Sequence, residues 1–183
     1  MRFNNHSELR DRHAFLSPSN YHWLNYDEQK LEARFFTVSA HKRGTDLHKL
    51  AQQAIELAVP VHEDNKALAA YVNDAISLGM VCEQPLFYSD HCFGTPDTMS
   101  FKDNLLRIHD LKTGITATSF KQLLIYSALF CLEYNVDPRE IDIELRIYQR
   151  DEVRVESPTP GAVLEVMDKI VYFDRRLEEI REV

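Results

Sequence analysis

The chain has 183 residues, enough for one domain with a buried core. Its hydrophobic content of 44% is ordinary for a globular protein, and no apolar run reaches the length of about 18 residues that a membrane span needs. A net charge of −8 argues against a protein that coats nucleic acid electrostatically, but not against an enzyme that meets a phosphodiester through metal ions and a few local cations.

The first part of the chain predicts helices. Ser17-Pro18 is a helix-start signal for a first helix over about residues 20–35. The pattern also allows this helix to extend beyond residue 35. Apolar residues at helical spacing predict a second helix over Thr45–Ala58 and a third over Lys66–Leu78, with Gly79 as a stop signal.

Strands are expected next. Val81–Ser89, Thr98–Lys102 and Leu105–Thr113 predict three strands in a meander, with a turn at Asp103-Asn104. The remaining elements are a helix over Ser119–Tyr134, an alternating half-buried strand over Ile141–Tyr148, and a last amphipathic helix over about 160–181 that starts at Thr159-Pro160.

The third strand ends in a carboxylate and an ammonium. Asp110 and Lys112 are two residues apart, so their side chains point to the same face, about 7 Å apart along the strand. Such a pair can hold a divalent cation and position a water. Asp97 stands at the start of the preceding strand, and the hairpin at Asp103-Asn104 would bring it to the same place. The residues therefore predict a site at this end of the sheet.

Four short motifs follow one another along the chain: Gly44–His48, Gly94–Asp97, Asp110–Gly114 and Gln122–Tyr126. Taken together they resemble the RecB-like, Cas4-like exonuclease branch of the PD-(D/E)XK nuclease superfamily. The pattern of that branch is G-x-x-x-H, G-x-x-D, apolar-D-x-K-T-G and Q-x-x-x-Y, in this order. Each motif alone is weak, whereas the ordered set is specific. The resemblance covers roughly residues 17 to 150.

The resemblance implies a metal site. Asp97 and Asp110 would be carboxylate ligands, the main-chain carbonyl of Leu111 would add a ligand, and His48 would be a further ligand from its helix. The expected cofactor is Mg²⁺ or Mn²⁺. Because hard oxygen ligands suit Mg²⁺ and an imidazole shifts preference toward Mn²⁺, we expect Mn²⁺ to support activity at least as well as Mg²⁺.

Other residues take roles around that site by the same resemblance. Lys112 would orient the attacking water and offset charge on the scissile phosphate. Gln122 and Tyr126 would position the nucleic-acid strand or the side chains of the site. Glu83 is a candidate for a residue that supports the metal ligands without binding the metal itself, because related nucleases often have an acid near that point.

The resemblance also implies a fold and an activity. We expect an α/β (α+β) protein with the αβββαβ core of restriction-endonuclease-like proteins, a single nuclease domain over 1–183, and a mixed central sheet flanked by helices. The activity would be hydrolysis of DNA phosphodiesters at single strands or free ends, in phage or bacterial recombination, repair or CRISPR-like prespacer trimming. Relatives with an iron–sulfur cluster hold it by four cysteines. This chain has three, Cys82, Cys92 and Cys131, at other places, so no cluster is expected.

Several alternatives stay open. The same site could belong to a structure-specific endonuclease, or the chain could be a non-catalytic module that binds nucleic acid or a partner; RNA is a weaker choice of substrate. Asp110 and Lys112 could form an ordinary ion pair. Tyr21, Trp23 and Tyr26 could stack on bases or simply pack. A homo-oligomer or a protein partner is left open, and scattered cysteines with a polar N-terminus favour a cytoplasmic location without a membrane.

Overall fold

The structure is a computed structural model that describes residues 14–62, 65–116 and 118–181. The chain divides into two compact units, residues 1–43 and 44–183. The described part of the first unit holds a 3-10 helix, Pro18–Asn25, and the first half of α1 (Glu28–Glu56). All four motifs lie in the second unit.

The helix α1 replaces two predicted helices. It begins where the side chain of Asp27 accepts a hydrogen bond from the N–H of Lys30 (2.7 Å), and the expected start at Ser17-Pro18 gives the short 3-10 helix instead. The helix then runs through Gly44 without a break, because one glycine costs only about 1 kcal/mol in a long helix. The next helix, α2 (Lys66–Ser77), is as predicted, capped by Asn65 and followed by Gly79 at φ 61°.

The described residues after α2 form seven strands and two further helices: β1 (Val81–Cys82), β2 (Leu86–Ser89), β3 (Cys92–Gly94), β4 (Thr98–Lys102), β5 (Leu105–Lys112), α3 (Lys121–Tyr134), β6 (Asp142–Gln149), β7 (Glu152–Glu156) and α4 (Pro160–Arg181). Five strands form one sheet in the order β1-β4-β5-β6-β7, while β2 and β3 pair as a separate hairpin. The β5–β6 pair is parallel and its neighbours are antiparallel, so the sheet is mixed.

Two parts of the predicted strand pattern are wrong in detail. The segment Val81–Ser89 is two strands in different sheets, because the chain turns at Glu83, which has φ 48°. The strands β3 and β7 were not expected. The hairpin at Asp103-Asn104 is confirmed, with φ of 53° and 58° at its two turn residues, as a tight hairpin turn requires.

Helices cover both faces of the five-stranded sheet. On one face, Leu106 and Ile108 of β5 pack in a core with residues of α3 and with Val163 of α4. On the other face, Leu111 of β5 and Tyr148 of β6 pack with α2 and the last turns of α1. None of the helices in the described part of the chain is both long and apolar enough to span a membrane. The protein is thus mixed α/β, and the side chains of Asp110 and Lys112 fall on the α3 face by alternation.

Candidate active site

The site forms where the ladder between β4 and β5 ends. The last paired residues are Thr98 and His109, and beyond them the N–H of Leu111 donates to Oδ2 of Asp97 (2.9 Å). The carboxylate of Asp97 thus accepts the hydrogen bond that a carbonyl of a neighbouring strand would otherwise accept. Because the N–H and the C=O of one strand residue face the same neighbour, the carbonyl of Leu111 lies on the Asp97 side of β5.

Asp110 is a buried acid with one uncompensated oxygen. Its Oδ1 accepts a hydrogen bond from Nζ of Lys112 (2.8 Å), and the Asp110 side chain is only 4% exposed. Its Oδ2 is buried and has no hydrogen-bond partner among the described residues. A buried carboxylate oxygen without a partner costs free energy, and such atoms in proteins mark places where a further group completes the arrangement. A positively charged ligand at Oδ2 would remove this cost.

Asp97 is held in an environment that disfavours its charge. Burial, and next the charge of Asp110, raise its pKa to about 6. His48, the N–H of Leu111 and Lys112 act in the opposite direction without cancelling the rise. Nδ1 of His48 lies 3.4 Å from Oδ2 of Asp97. The folded chain therefore disfavours the charged form of Asp97, first because the carboxylate is buried and next because Asp110 lies nearby.

A chain of hydrogen bonds fixes the ammonium of Lys112. Besides Asp110, Nζ of Lys112 donates to Oε1 of Gln122 (2.9 Å). The amide of Gln122 donates in turn to the hydroxyl of Tyr126 (3.3 Å), and that hydroxyl donates to the carbonyl of Thr95 (2.9 Å). Gln122 and Tyr126 therefore hold the lysine in one position, and they tie α3 to the segment that carries Asp97.

Two glycines allow the motifs to approach closely. A Cβ on Gly44 would lie 2.6 Å from Oγ1 of Thr113, and a Cβ on Gly94 would lie 2.9 Å from Cε1 of Tyr126. Real Cβ atoms essentially never come so close, so both positions require glycine unless a neighbour moves. The first motif thus packs on the third and the second on the fourth. Together with the His48–Asp97 and Lys112–Gln122 contacts, this brings all four motifs into one site.

The donors fit a divalent cation without forming a complete cage. The described residues hold no group of three or more His, Cys, Asp or Glu side chains arranged as a metal cluster. The fit is supported by Oδ2 of Asp110, which has no hydrogen-bond partner in the described part of the chain, and by the charge of Asp110, which helps to raise the pKa of Asp97. Carboxylate and carbonyl oxygens are the donors that Mg²⁺ prefers, and one imidazole suits Mn²⁺. His48, Asp97, Asp110 and the Leu111 carbonyl are the residues that would hold it.

Glu83 stands apart from the other expected residues. It lies after β1 rather than opening a long strand, and its side chain is exposed. Its link to the site is through the main chain, where its N–H donates to the carbonyl of Asp97 (3.1 Å). Glu83 therefore supports the backbone of Asp97, and its carboxylate makes no described contact with the site.

Sequence reasoning missed the residue that holds the loop after Lys112. Nε2 of Gln149 donates to the carbonyls of Gly114 (2.7 Å) and Thr116 (2.8 Å). The signal was present in the alternation of β6, since the inward row of Ile143, Leu145 and Ile147 continues to Gln149. A polar residue at the end of an apolar row indicates a buried hydrogen bond.

The opposite face of β5 carries a separate polar network. His109 is fully buried there, on the opposite face from Asp110 by alternation along β5, and its Nδ1 lies 3.2 Å from the hydroxyl of Tyr148. Burial, Arg146 and Arg107 together lower the pKa of His109 to about 3, so it is neutral at physiological pH. The Tyr148 hydroxyl donates to Asp74 (2.7 Å). This network stabilises β5 from the face opposite to Asp110 and Lys112.

Comparison of the chain with models of protein families gives no match, and comparison with curated proteins gives none either.

Proposed function

We propose that this protein is a divalent-metal-dependent DNA nuclease of the RecB-like branch of the PD-(D/E)XK superfamily. The observation that carries the proposal is the meeting of four separate motifs around Asp97, Asp110 and Lys112. A carboxylate pair beside an ammonium is one set of groups that can support metal-dependent phosphodiester hydrolysis. One acid has a buried oxygen with no hydrogen-bond partner among the described residues, which supports a role as a ligand of a cation.

The order of elements supports the same proposal. A helix, the antiparallel strands β1, β4 and β5, the helix α3 and the strand β6 parallel to β5 follow the αβββαβ order of the restriction-endonuclease-like core. The candidate residues lie where this core is expected to carry them, at the end of the third strand of the meander and on the helix that follows it.

The mechanism can be assigned to residues of this chain. When bound, Mg²⁺ or Mn²⁺ lowers the pKa of a water and neutralises phosphate oxygens. Lys112 presents an ammonium at the edge of the carboxylates, where it orients a water and stabilises negative charge that develops on the scissile phosphate. Gln122 holds that ammonium in place, and Tyr126 holds Gln122, so both are positioning residues.

We propose action on single strands or free ends, as an exonuclease or end-processing enzyme in phage or bacterial recombination, repair or prespacer trimming. The described residues contain no helix-turn-helix or zinc finger of the kind that reads a base sequence. A digestion assay tests this directly. End-labelled linear single strands, linear duplexes and circular single strands are incubated with the intact chain and Mn²⁺ or Mg²⁺. We expect cleavage of the linear substrates alone.

Two substitutions test the site. Asp110→Ala and Lys112→Ala are each expected to lower the cleavage rate by at least about 100-fold, since the first removes a carboxylate that would hold the cation and the second removes the ammonium that stabilises charge on the reacting phosphate. Asp151→Asn and Lys121→Ala serve as matched controls, because both side chains are exposed and have no contact with the site. Circular dichroism and thermal unfolding check that every variant is folded.

The outcomes separate the alternatives. Cleavage of circular single strands would favour a structure-specific endonuclease with the same site. DNA binding with no cleavage in either metal would favour a non-catalytic binding module. Full activity in both Asp110→Ala and Lys112→Ala would refute the assigned mechanism.

A further inference from the structure

The first unit contains a cavity that the candidate active site does not use. Its volume is about 510 Å³, within the range of small-ligand sites. Its lining includes four aromatic rings and two cations, which belong to Phe15, Trp23, Tyr26, Phe35, Arg34 and Lys42. Among the described residues that line it, none is acidic. The lining therefore combines aromatic surface with positive charge.

The rings are held by contacts within the first unit. The indole Nε1 of Trp23 donates to the carbonyl of Ser17 (3.0 Å), which leaves the apolar ring surface for contact with a ligand. Phe15 and Phe35 meet edge to face, with ring centroids 5.3 Å apart. Nζ of Lys30 lies 5.0 Å from the ring centroid of Tyr26 and adds a third cation near the cavity. The aromatic walls are therefore in place before a ligand enters.

The charge of the two units is unequal. Residues 1–43 carry seven Lys and Arg against five Asp and Glu, whereas residues 44–183 carry fourteen against twenty-four. The first unit therefore has a net charge of +2 and the second −10. In a protein of net charge −8, the aromatic cavity lies in the unit whose net charge is positive.

We propose that this cavity binds one nucleotide of a single DNA strand. The base would stack on the rings of Trp23 and Tyr26, and Arg34 and Lys42 would attract the phosphate. Aromatic side chains stack on any base, and flanking cations follow the backbone, which is how proteins bind single strands without reading their sequence. The identity of the strand as substrate rests on the proposed nuclease function. The cavity itself does not depend on it.

The chain contains one tryptophan, so its fluorescence reports on this cavity alone. The intact protein is titrated with a short single-stranded oligodeoxyadenylate in the presence of a chelator, so that no cleavage occurs. We expect saturable quenching of Trp23 that weakens as salt is raised. Deoxyadenosine monophosphate, a blunt duplex and polyglutamate are titrated in parallel. The oligonucleotide is expected to bind most tightly.

Variants assign the contacts. Arg34→Ala and Lys42→Ala are each expected to reduce the slope of log affinity against log salt by about 0.7. Arg43→Ala, which removes the next cation along α1 without touching the cavity lining, is expected to leave the slope unchanged. Tyr26→Ala is expected to weaken binding about tenfold, whereas Tyr26→Phe keeps a ring and is expected to retain most of the affinity.

The result separates this inference from the proposed function. If the protein cleaves DNA and the fluorescence of Trp23 does not respond to any strand, the cavity is not a nucleotide site. If Trp23 is quenched and no metal supports cleavage, the cavity binds DNA and the nuclease proposal fails. Quenching by polyglutamate as strong as by the oligonucleotide would overturn the inference in favour of an acidic peptide. An unchanged slope in folded Arg34→Ala and Lys42→Ala would overturn it as well.

Discussion

Asp97→Asn is expected to stabilise the metal-free protein near neutral pH while abolishing its activity. Burial and the charge of Asp110 raise the pKa of Asp97 from 3.8 to about 6. The folded state therefore favours the neutral carboxyl. Below about pH 4 this preference contributes its full stabilisation, and the contribution is lost as the pH rises through about 6.

The magnitude follows from the two pKa values. One pKa unit corresponds to about 1.4 kcal/mol, so ionising Asp97 in the folded chain costs about 3 kcal/mol at pH values above 6. An asparagine cannot ionise, and its carbonyl oxygen can still accept the hydrogen bond from Leu111. We therefore expect Asp97→Asn to raise the free energy of unfolding by about 3 kcal/mol near pH 8 and to change it little near pH 4.

Equilibrium unfolding in urea, with a chelator present, measures this difference at the two pH values. Asp151→Asn is the matched control, because this carboxylate is exposed and lies outside the site. Added Mn²⁺ is expected to stabilise the natural chain and to leave Asp97→Asn nearly unaffected, because a cation that binds the folded state alone stabilises it by mass action. A variant that is no more stable than the natural chain near pH 8 would refute the placement of Asp97 as a buried carboxylate, next to Asp110, whose charged form the folded chain disfavours.

Three further predictions concern the site. Mn²⁺ is expected to support cleavage at least as well as Mg²⁺, and strict Mg²⁺ dependence in parallel assays would count against His48 as a ligand. Removing divalent ions with a chelator is expected to abolish cleavage without unfolding the chain, and activity that persists in the chelator would contradict a metal mechanism. Gly94→Ala is expected to displace the ring of Tyr126, break its hydrogen bond to Thr95 and lower the cleavage rate about tenfold. Gly161→Ala has open space around the new methyl group and is the control. Equal rates in the two glycine variants would show that Tyr126 does not position the site.

Elements with a strong local pattern could be predicted from the sequence. The helices α2 and α4 have clear start signals at Asn65 and at Thr159-Pro160, and both were expected near their observed bounds. The turn at Asp103-Asn104 was expected because asparagine and aspartate adopt positive φ readily.

Elements that depend on tertiary contacts could not be predicted. The strand β7 lies at the edge of the sheet and has no buried side chain. Its sequence therefore lacks the inward row of apolar residues from which a strand could be predicted. Gly44 looks like a helix boundary in the sequence, but it lies within α1, where the close approach of Thr113 requires a glycine. The break at Glu83 has no glycine or proline at the residue that turns.

Part of the candidate site could be predicted from the sequence. Asp110 and Lys112 lie on one strand, so their pairing follows from alternation and is confirmed by their contact at 2.8 Å. Long-range contacts such as His48 with Asp97 were expected from the resemblance and not from any local pattern. The alternation of β6 marks Gln149 as an inward polar residue but does not show which carbonyls it binds. The aromatic cavity of the first unit depends on how irregular segments pack, and spacing along the chain carries no signal for it.

A crystal soaked in Mn²⁺ tests the central claim most directly. Anomalous scattering is expected to place one manganese ion within coordination distance of carboxylate oxygens of Asp97 and Asp110, with His48 and the Leu111 carbonyl completing the protein donors. No manganese at this end of β5, or an ion bound only elsewhere, would contradict the account.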